Sequence, residues 1–188
     1  MIIDFHTHVG EDIGDEDLQS MDFERLKKSM DKWGVDKSVV FPINCHGSLI
    51  EDSLEILERS KTEDWIIPFL RIDPKEMSKD ELGGLLDRGF RGLKLHSRSQ
   101  DFNIDDEDYF WIYEICDKKG LPVLFHCSMK ESQSHPDRIF RVAEKFSGLK
   151  IVMAHMFGGS SIFAKEAVKY PNLYADTSIN LGSLPQKI

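Results

Sequence analysis

Ile2-Ile3-Asp4-Phe5-His6-Thr7-His8-Val9-Gly10 opens the chain and decides its fold. The apolar start reads as a first β-strand over 2–6, and the residues after it separate two architectures. A doubly wound nucleotide-binding sheet carries a glycine-rich turn after its first strand, where the backbone must approach a pyrophosphate. Here the turn is His6-Thr7-His8-Val9-Gly10-Glu11-Asp12, without a GxGxxG pattern. Side chains alternate faces along a strand, so His6 and His8 point the same way, about 6.6 Å apart. Two imidazoles on that spacing reach one divalent metal through Zn–N bonds of roughly 2.0–2.1 Å.

Further β-branched, apolar runs recur over 38–42, 65–71, 91–96, 122–126, 150–155 and 172–176. Helix-like segments separate them. Phe23, Leu26, Lys27, Met30 and Trp33 form a mostly apolar i, i+3, i+4, i+7 stripe, and Gly34 stops it. Leu49, Ser53, Leu54 and Leu57 form a second stripe, and 81–86 closed by Gly89 a third. Helices are expected also over 109–119 before Gly120, over 137–146 after Pro136, and over 161–170 before Pro171. Seven strands in this rhythm imply an α/β fold whose parallel sheet is buried on both faces. Without a dinucleotide turn, the barrel is preferred to the open sheet. A TIM-type (β/α)8 barrel needs about 250 residues, whereas this chain has 188. The expectation is a single domain over 1–188, truncated after the seventh strand or completed by a partner chain. Its two unpaired edges would favour association of copies.

Composition narrows the function. Apolar residues at 40% and charged residues at 30% describe a soluble globular chain. The 33 Asp and Glu against 24 Lys and Arg give −9, which disfavours nucleic acid and anionic membranes as partners. No apolar run approaches the roughly 20 residues that cross a bilayer, and the N-terminus lacks a secretory pattern. Cys45, Cys116 and Cys127 show no CxxC spacing, so a disulfide framework is not expected. A cytoplasmic protein acting on a small molecule is the resulting expectation.

The seven histidines carry the strongest signal. His6, His8, His96, His126 and His155 fall at the C-terminal ends of expected strands, and His46 and His135 fall in the loops after strands two and five. In a barrel these strand ends and loops form one face, where active sites lie. Alternation puts Gly92, Lys94 and His96 on one face of strand four, with Leu93 and Leu95 on the other. It pairs Leu124 with His126 on strand five and Met153 with His155 on strand six. The polar set is expected to point inward, since the outer face packs on helices.

Those residues resemble the amidohydrolase superfamily, in its amidohydrolase-related (amidohydrolase 2) branch. The resemblance rests on Asp4-Phe5-His6-Thr7-His8, Arg91-Gly92-Leu93-Lys94-Leu95-His96, Val123-Leu124-Phe125-His126 and Ile151-Val152-Met153-Ala154-His155, in family order over essentially the whole chain. It implies His6, His8 and His126 as metal ligands. It implies for His155 either a further ligand or the group that orients and activates a metal-bound water. Lys94 would be catalytic, either carbamylated between two metals or facing substrate beside a single one. His96, Arg71, Arg98 and Asp176 are substrate-binding candidates, the arginines as bidentate carboxylate clamps. The cofactor implied is a divalent metal, Zn²⁺ or Mn²⁺. The activity implied is hydrolysis of an amide, ester or lactone bond in a small anionic molecule. Alternatives are non-oxidative decarboxylation and metal binding without turnover. A phosphoesterase that also opens on a His-x-His pair is the rival class; Lys94 and His96 stand where it would carry a glutamate. The family places a further aspartate at the end of an eighth strand, and the chain ends before that point. The acidic loop with Glu11, Asp12, Asp15, Glu16 and Asp17 reads as solvated or as a lid over the site.

Overall fold

A computed structural model describes residues 1–10, 21–43 and 48–178. The acidic loop, Cys45, His46 and the tail from Ile179 lie outside the described residues. Parallel strands and helices alternate as the sequence predicts: β1 (Ile3–Val9), α1 (Phe23–Trp33), β2 (Lys37–Pro42), α2 (Leu49–Ser60), β3 (Ile66–Pro68), β4 (Leu70–Arg71), α3 (Lys79–Asp87), β5 (Leu93–Leu95), α4 (Phe110–Lys119), β6 (Val123–Phe125), α5 (Pro136–Lys145), β7 (Ile151–Met153), the helix Ser161–Ala167, and β8 (Leu173–Ala175). The strand orders are β1-β2-β3 and β4-β5-β6-β7-β8, with every pairing parallel.

The expected third strand, 65–71, is thus two pieces that meet at Phe69. Its amide donates to Val40 O, while the next amide, that of Leu70, donates to Gly92 O. One strand therefore hands its pairing from β2 to β5, which makes seven strand positions among the described residues. At the switch the Phe69 ring enters the interior over Gly92, where a Cβ would lie 2.3 Å from the ring. Only glycine fits there.

Local signals account for the helix ends. Asp22 caps α1 by accepting from Arg25 N, and Gly34 ends it at φ +68°. Ser78 and Glu81 form a capping box on α3, and Pro136 occupies the first turn of α5. His135 caps α5, its Nδ1 accepting from Asp137 N, and so serves a helix end.

The strands' alternation builds two apolar layers. Leu70, Leu93, Leu95, Val123, Phe125, Ile151 and Met153 face outward and pack with the helices. Val39, Phe41, Phe69, Leu124, Val152 and Ala154 form the inner core, with Phe5 against it. The β1–β2 register shifts between Asp4 and Thr7. This bulge lets Phe5 pack on Phe69 inside while the next residue, His6, also faces inward.

Among the described residues, β1 and β8 each pair on one side only. Both line one cleft of about 730 Å³, with Ile2, Phe5 and Val35 on one bank and Ala175 and Ser178 on the other. Ile2 and Ile3, which line it, are exposed, as is Tyr174 on β8. The sequence expectation of unpaired, apolar edges matches this arrangement.

Candidate metal centre

Five histidines and an aspartate meet at the C-terminal ends of the strands. His6 and His8, on β1, have ring centroids 5.1 Å apart, and His6 lies 5.1 Å from His155. His126, just past β6, is 5.0 Å from His155 and stacks on His96 at 3.9 Å. Asp176, just past β8, reaches across the cleft to His6, with Oδ2 2.6 Å from Nδ1. Its Oδ1 accepts from His155 N at 2.9 Å, from Ser178 N at 3.0 Å and from Ser178 Oγ at 2.5 Å.

His155 arrives by a route that alternation did not anticipate. Met153 faces the outer core rather than sharing an inward face with His155, and Val152 and Ala154 point inward instead. Strict alternation would then turn residue 155 outward. The strand ends at Met153, and His155, Met156, Phe157 and Gly158 all adopt left-handed backbone angles, φ +62°, +50°, +60° and +69°. That left-handed turn swings the imidazole back over the barrel mouth. Asp176 pins it, its carboxylate holding His155 N and its carbonyl accepting from Met156 N at 2.9 Å.

Hydrogen-bond accounting fixes which nitrogens remain available. An ionised Asp176 only accepts, so His6 Nδ1 carries the proton and Nε2 keeps a lone pair. Ser178 spends its single hydroxyl proton on Asp176, so His155 Nδ1, 2.8 Å from Ser178 Oγ, donates to it. His155 Nε2 is left as a lone pair, 3.1 Å from His126 Nδ1. His8 Nδ1 is buried without a hydrogen-bond partner.

Electrostatics keeps the cluster ready for a cation. Burial drives His6 down to about 4 and His126 down to about 3, with Lys94 adding to both shifts. His8, His96 and His155 are lowered by burial too. Burial alone would raise Asp176, yet the bond and charge of His6 and the donors of Ser178 and His155 bring it well below the usual carboxylate range. Neutral imidazoles around an ionised carboxylate form a donor set suited to zinc or manganese. Single ligand atoms of His6, His155 and Asp176 all lie within 4.8 Å of one another. The residues present fit a divalent cation.

Lys94 is fully buried on β5 and points inward, its Nζ without a hydrogen-bond partner and 5.2 Å from the Phe41 ring. Burial, then the Arg71 charge, pushes it down to about 7. Arg71 is itself buried, with Nη1 donating to Pro42 O at 2.9 Å and Nη2 to Ser99 Oγ at 3.3 Å. Arg98 is held by Glu131, Nη1 to Oε1 at 2.9 Å. His96 accepts from Ser99 N through Nδ1.

The structure thus gathers His6, His8, His96, His126, His155 and Asp176, with Lys94 and Arg71 behind them. Asp176 is a substrate-binding candidate in the sequence, and Ser178, which bonds both Asp176 and His155, is not singled out there.

The family model for amidohydrolases matches residues 3–183. The chain belongs to the amidohydrolase family. Solved structures share the fold. An uncharacterised TIM-barrel protein of Bordetella bronchiseptica is 21% identical with TM-score 0.67, over 82% of this chain and 58% of that one. A probable 2-pyrone-4,6-dicarboxylic acid hydrolase of Acinetobacter baumannii, with citric acid bound, is 13% identical with TM-score 0.58, over 91% and 63%. A manganese-bound 5-carboxyvanillate decarboxylase variant of Novosphingobium aromaticivorans is 15% identical with TM-score 0.67, over 93% and 74%. This amidohydrolase chain therefore spans about three fifths of the first two. A comparison with curated proteins finds no match.

Proposed function

We propose that this chain holds a single divalent metal, Zn²⁺ or Mn²⁺, and carries the hydrolytic site of an amidohydrolase acting on a small anionic molecule. The observation that carries the reading is the convergence of His6, His155 and Asp176 at the barrel mouth. These three hold the cation, and His8 and His126 supply the neighbouring imidazoles. When bound, a divalent cation acts as Lewis acid toward an amide, ester or lactone carbonyl and acidifies water.

The chain's own groups do the rest. Lys94, brought to about 7, exists as both ammonium and amine at neutral pH, which suits a proton carrier between water and leaving group. His155, tied by Ser178 and Asp176, serves as a ligand whose orientation is fixed before substrate arrives. Arg71 contributes buried positive charge beneath the site, and Arg98 and His96 lie at its rim as contacts for substrate.

A second reading, decarboxylation of an aromatic acid, uses the same residues and draws on the manganese-bound decarboxylase among the structural neighbours. Metal analysis of Asp176→Asn and His155→Ala after dialysis tests the site, with sub-stoichiometric metal expected in both. Metal content equal to the parent chain would refute the ligand set. Turnover of an ester and lactone panel against aromatic carboxylates, with Zn²⁺ or Mn²⁺ added, then separates hydrolase, decarboxylase and inert metal binder.

A further inference from the structure

We infer that His96 determines specificity by presenting a fixed Nε2–H donor to a carboxylate oxygen of the substrate, with Gln100 as the positioning residue behind it. His96 lies just past β5, and the four residues after it fold back onto its backbone and ring. Its amide donates to Gln100 Oε1 at 2.7 Å, and its carbonyl accepts from Gln100 N and Ser99 Oγ, both at 3.1 Å. Ser99 N donates to the ring Nδ1 at 3.4 Å. The imidazole stacks on His126, with centroids 3.9 Å apart and planes 9° from parallel. Backbone and ring are both held.

The turn is tied in its own right to the neighbouring strand. Gln100 is 4% exposed, and its Nε2 donates to Ile72 O, just past β4. Arg71, the last residue of β4, donates Nη2 to Ser99 Oγ at 3.3 Å. A buried carboxamide is costly unless its donor and acceptor are both satisfied. Gln100 satisfies both by bridging two strand ends, and His96 N is one of the two groups it bridges.

The consequence for the ring follows from proton accounting. Burial, then the neighbouring His126, Lys94 and Arg71, hold His96 well below the usual histidine range, so the imidazole is neutral. A neutral imidazole carries one proton. Nδ1 accepts from a backbone amide, which only donates, so the proton sits on Nε2. Among the described residues nothing bonds Nε2, and the half-buried ring leaves that atom open to solvent. It is a donor held ready for an acceptor. The buried charges of Lys94 and Arg71 favour an anionic one, and a carboxylate oxygen meets both demands. A site built around such a donor discriminates against analogues that lack the acceptor.

The ligand class rests on the small-anion reading of the site, whereas the tautomer and the role of Gln100 do not. Long-range ¹H–¹⁵N correlation of the metal-free protein at neutral pH reads the ring. His96 is assigned through His96→Phe, which keeps an aromatic ring and removes the donor. The wild type is expected to show the Nε2-protonated tautomer, and so is Ser99→Ala, because the backbone donor remains. Gln100→Ala is expected to give mixed tautomers, and Gln100→Glu, which still accepts from His96 N, to restore most of the wild-type pattern. Titration with benzoate, and with benzamide as its uncharged match, reads the ligand class. Benzoate is expected to move the His96 Nε2 resonance, to bind more tightly than benzamide, and to weaken about 10–100-fold in His96→Phe. An Nδ1-protonated His96 in the wild type would overturn the donor, and a wild-type pattern in Gln100→Ala would overturn the role of Gln100. Benzoate that leaves His96 unmoved, or binds His96→Phe as tightly, would overturn the ligand class. If circular dichroism shows Gln100→Ala unfolded, exchange of the wild-type His96 amide decides: slow exchange is expected, and fast exchange counts against Gln100. Mn²⁺ content of the wild type stands apart, since its absence would sink the metal reading and leave these results intact.

Discussion

Asp176 does more than any other residue at the barrel mouth. It reaches His6, fixes the backbone and ring of His155 through direct and Ser178-mediated bonds, and supplies the cluster's ionised carboxylate. Sequence showed the five histidines because they recur at strand ends, a pattern that random placement would not give. It did not show the role of Asp176, because the side chain's reach across the β1–β8 cleft depends on curvature that no local pattern encodes. The histidines also set the pH response of the metal-free protein. Their folded pKa values lie below the unfolded value of about 6.5, with His6 at about 4 and His126 at about 3. The unfolded chain therefore binds more protons below about 6.5, so stability is full above that pH and drains as pH falls. Urea midpoints of metal-free protein are expected to drop steadily from pH 7 to pH 4, and His96→Asn is expected to flatten the slope. A midpoint that rises on acidification would contradict the neutral, buried state of these rings.

At the level of elements, most strands were legible and one turn was not. Alternation correctly separated Lys94 from Leu93 and Leu95 and placed Leu124 inside. It failed on 150–155, since a left-handed turn of three non-glycine residues leaves no signature in His155-Met156-Phe157. Such a conformation costs roughly 1–2 kcal/mol per residue, and it persists because Asp176 and the β6 loop hold it. Gly158 is the one position where packing also matters, since a Cβ there would lie 3.1 Å from Met129 N. Met156→Gly is expected to raise unfolding stability by about 1 kcal/mol, since glycine adopts this geometry freely. Gly158→Ala is expected to lower stability. Urea denaturation of both variants reads the signs, and destabilisation by Met156→Gly would argue against the left-handed turn.

At the scale of the whole molecule, the described residues supply seven parallel strand positions around the site and leave a cleft between β1 and β8. The count of seven and the unpaired edges were readable from the rhythm of apolar runs. The break at Phe69 was not, because a strand that changes partner keeps the same composition. Exposed apolar side chains on the two edge strands, Ile3 of β1 and Tyr174 of β8, predict self-association of this 188-residue chain. Sedimentation velocity should show concentration-dependent association that Ile3→Lys with Tyr174→Lys weakens; a strictly monomeric parent chain would refute this. The metal site is the central claim, and location of the ion tests it most directly. Crystals grown with Mn²⁺ should give one strong anomalous peak at about 2.0–2.2 Å from donor atoms of His6, His155 and Asp176. A peak that avoids these three residues, or no peak with Mn²⁺ in excess, would contradict it.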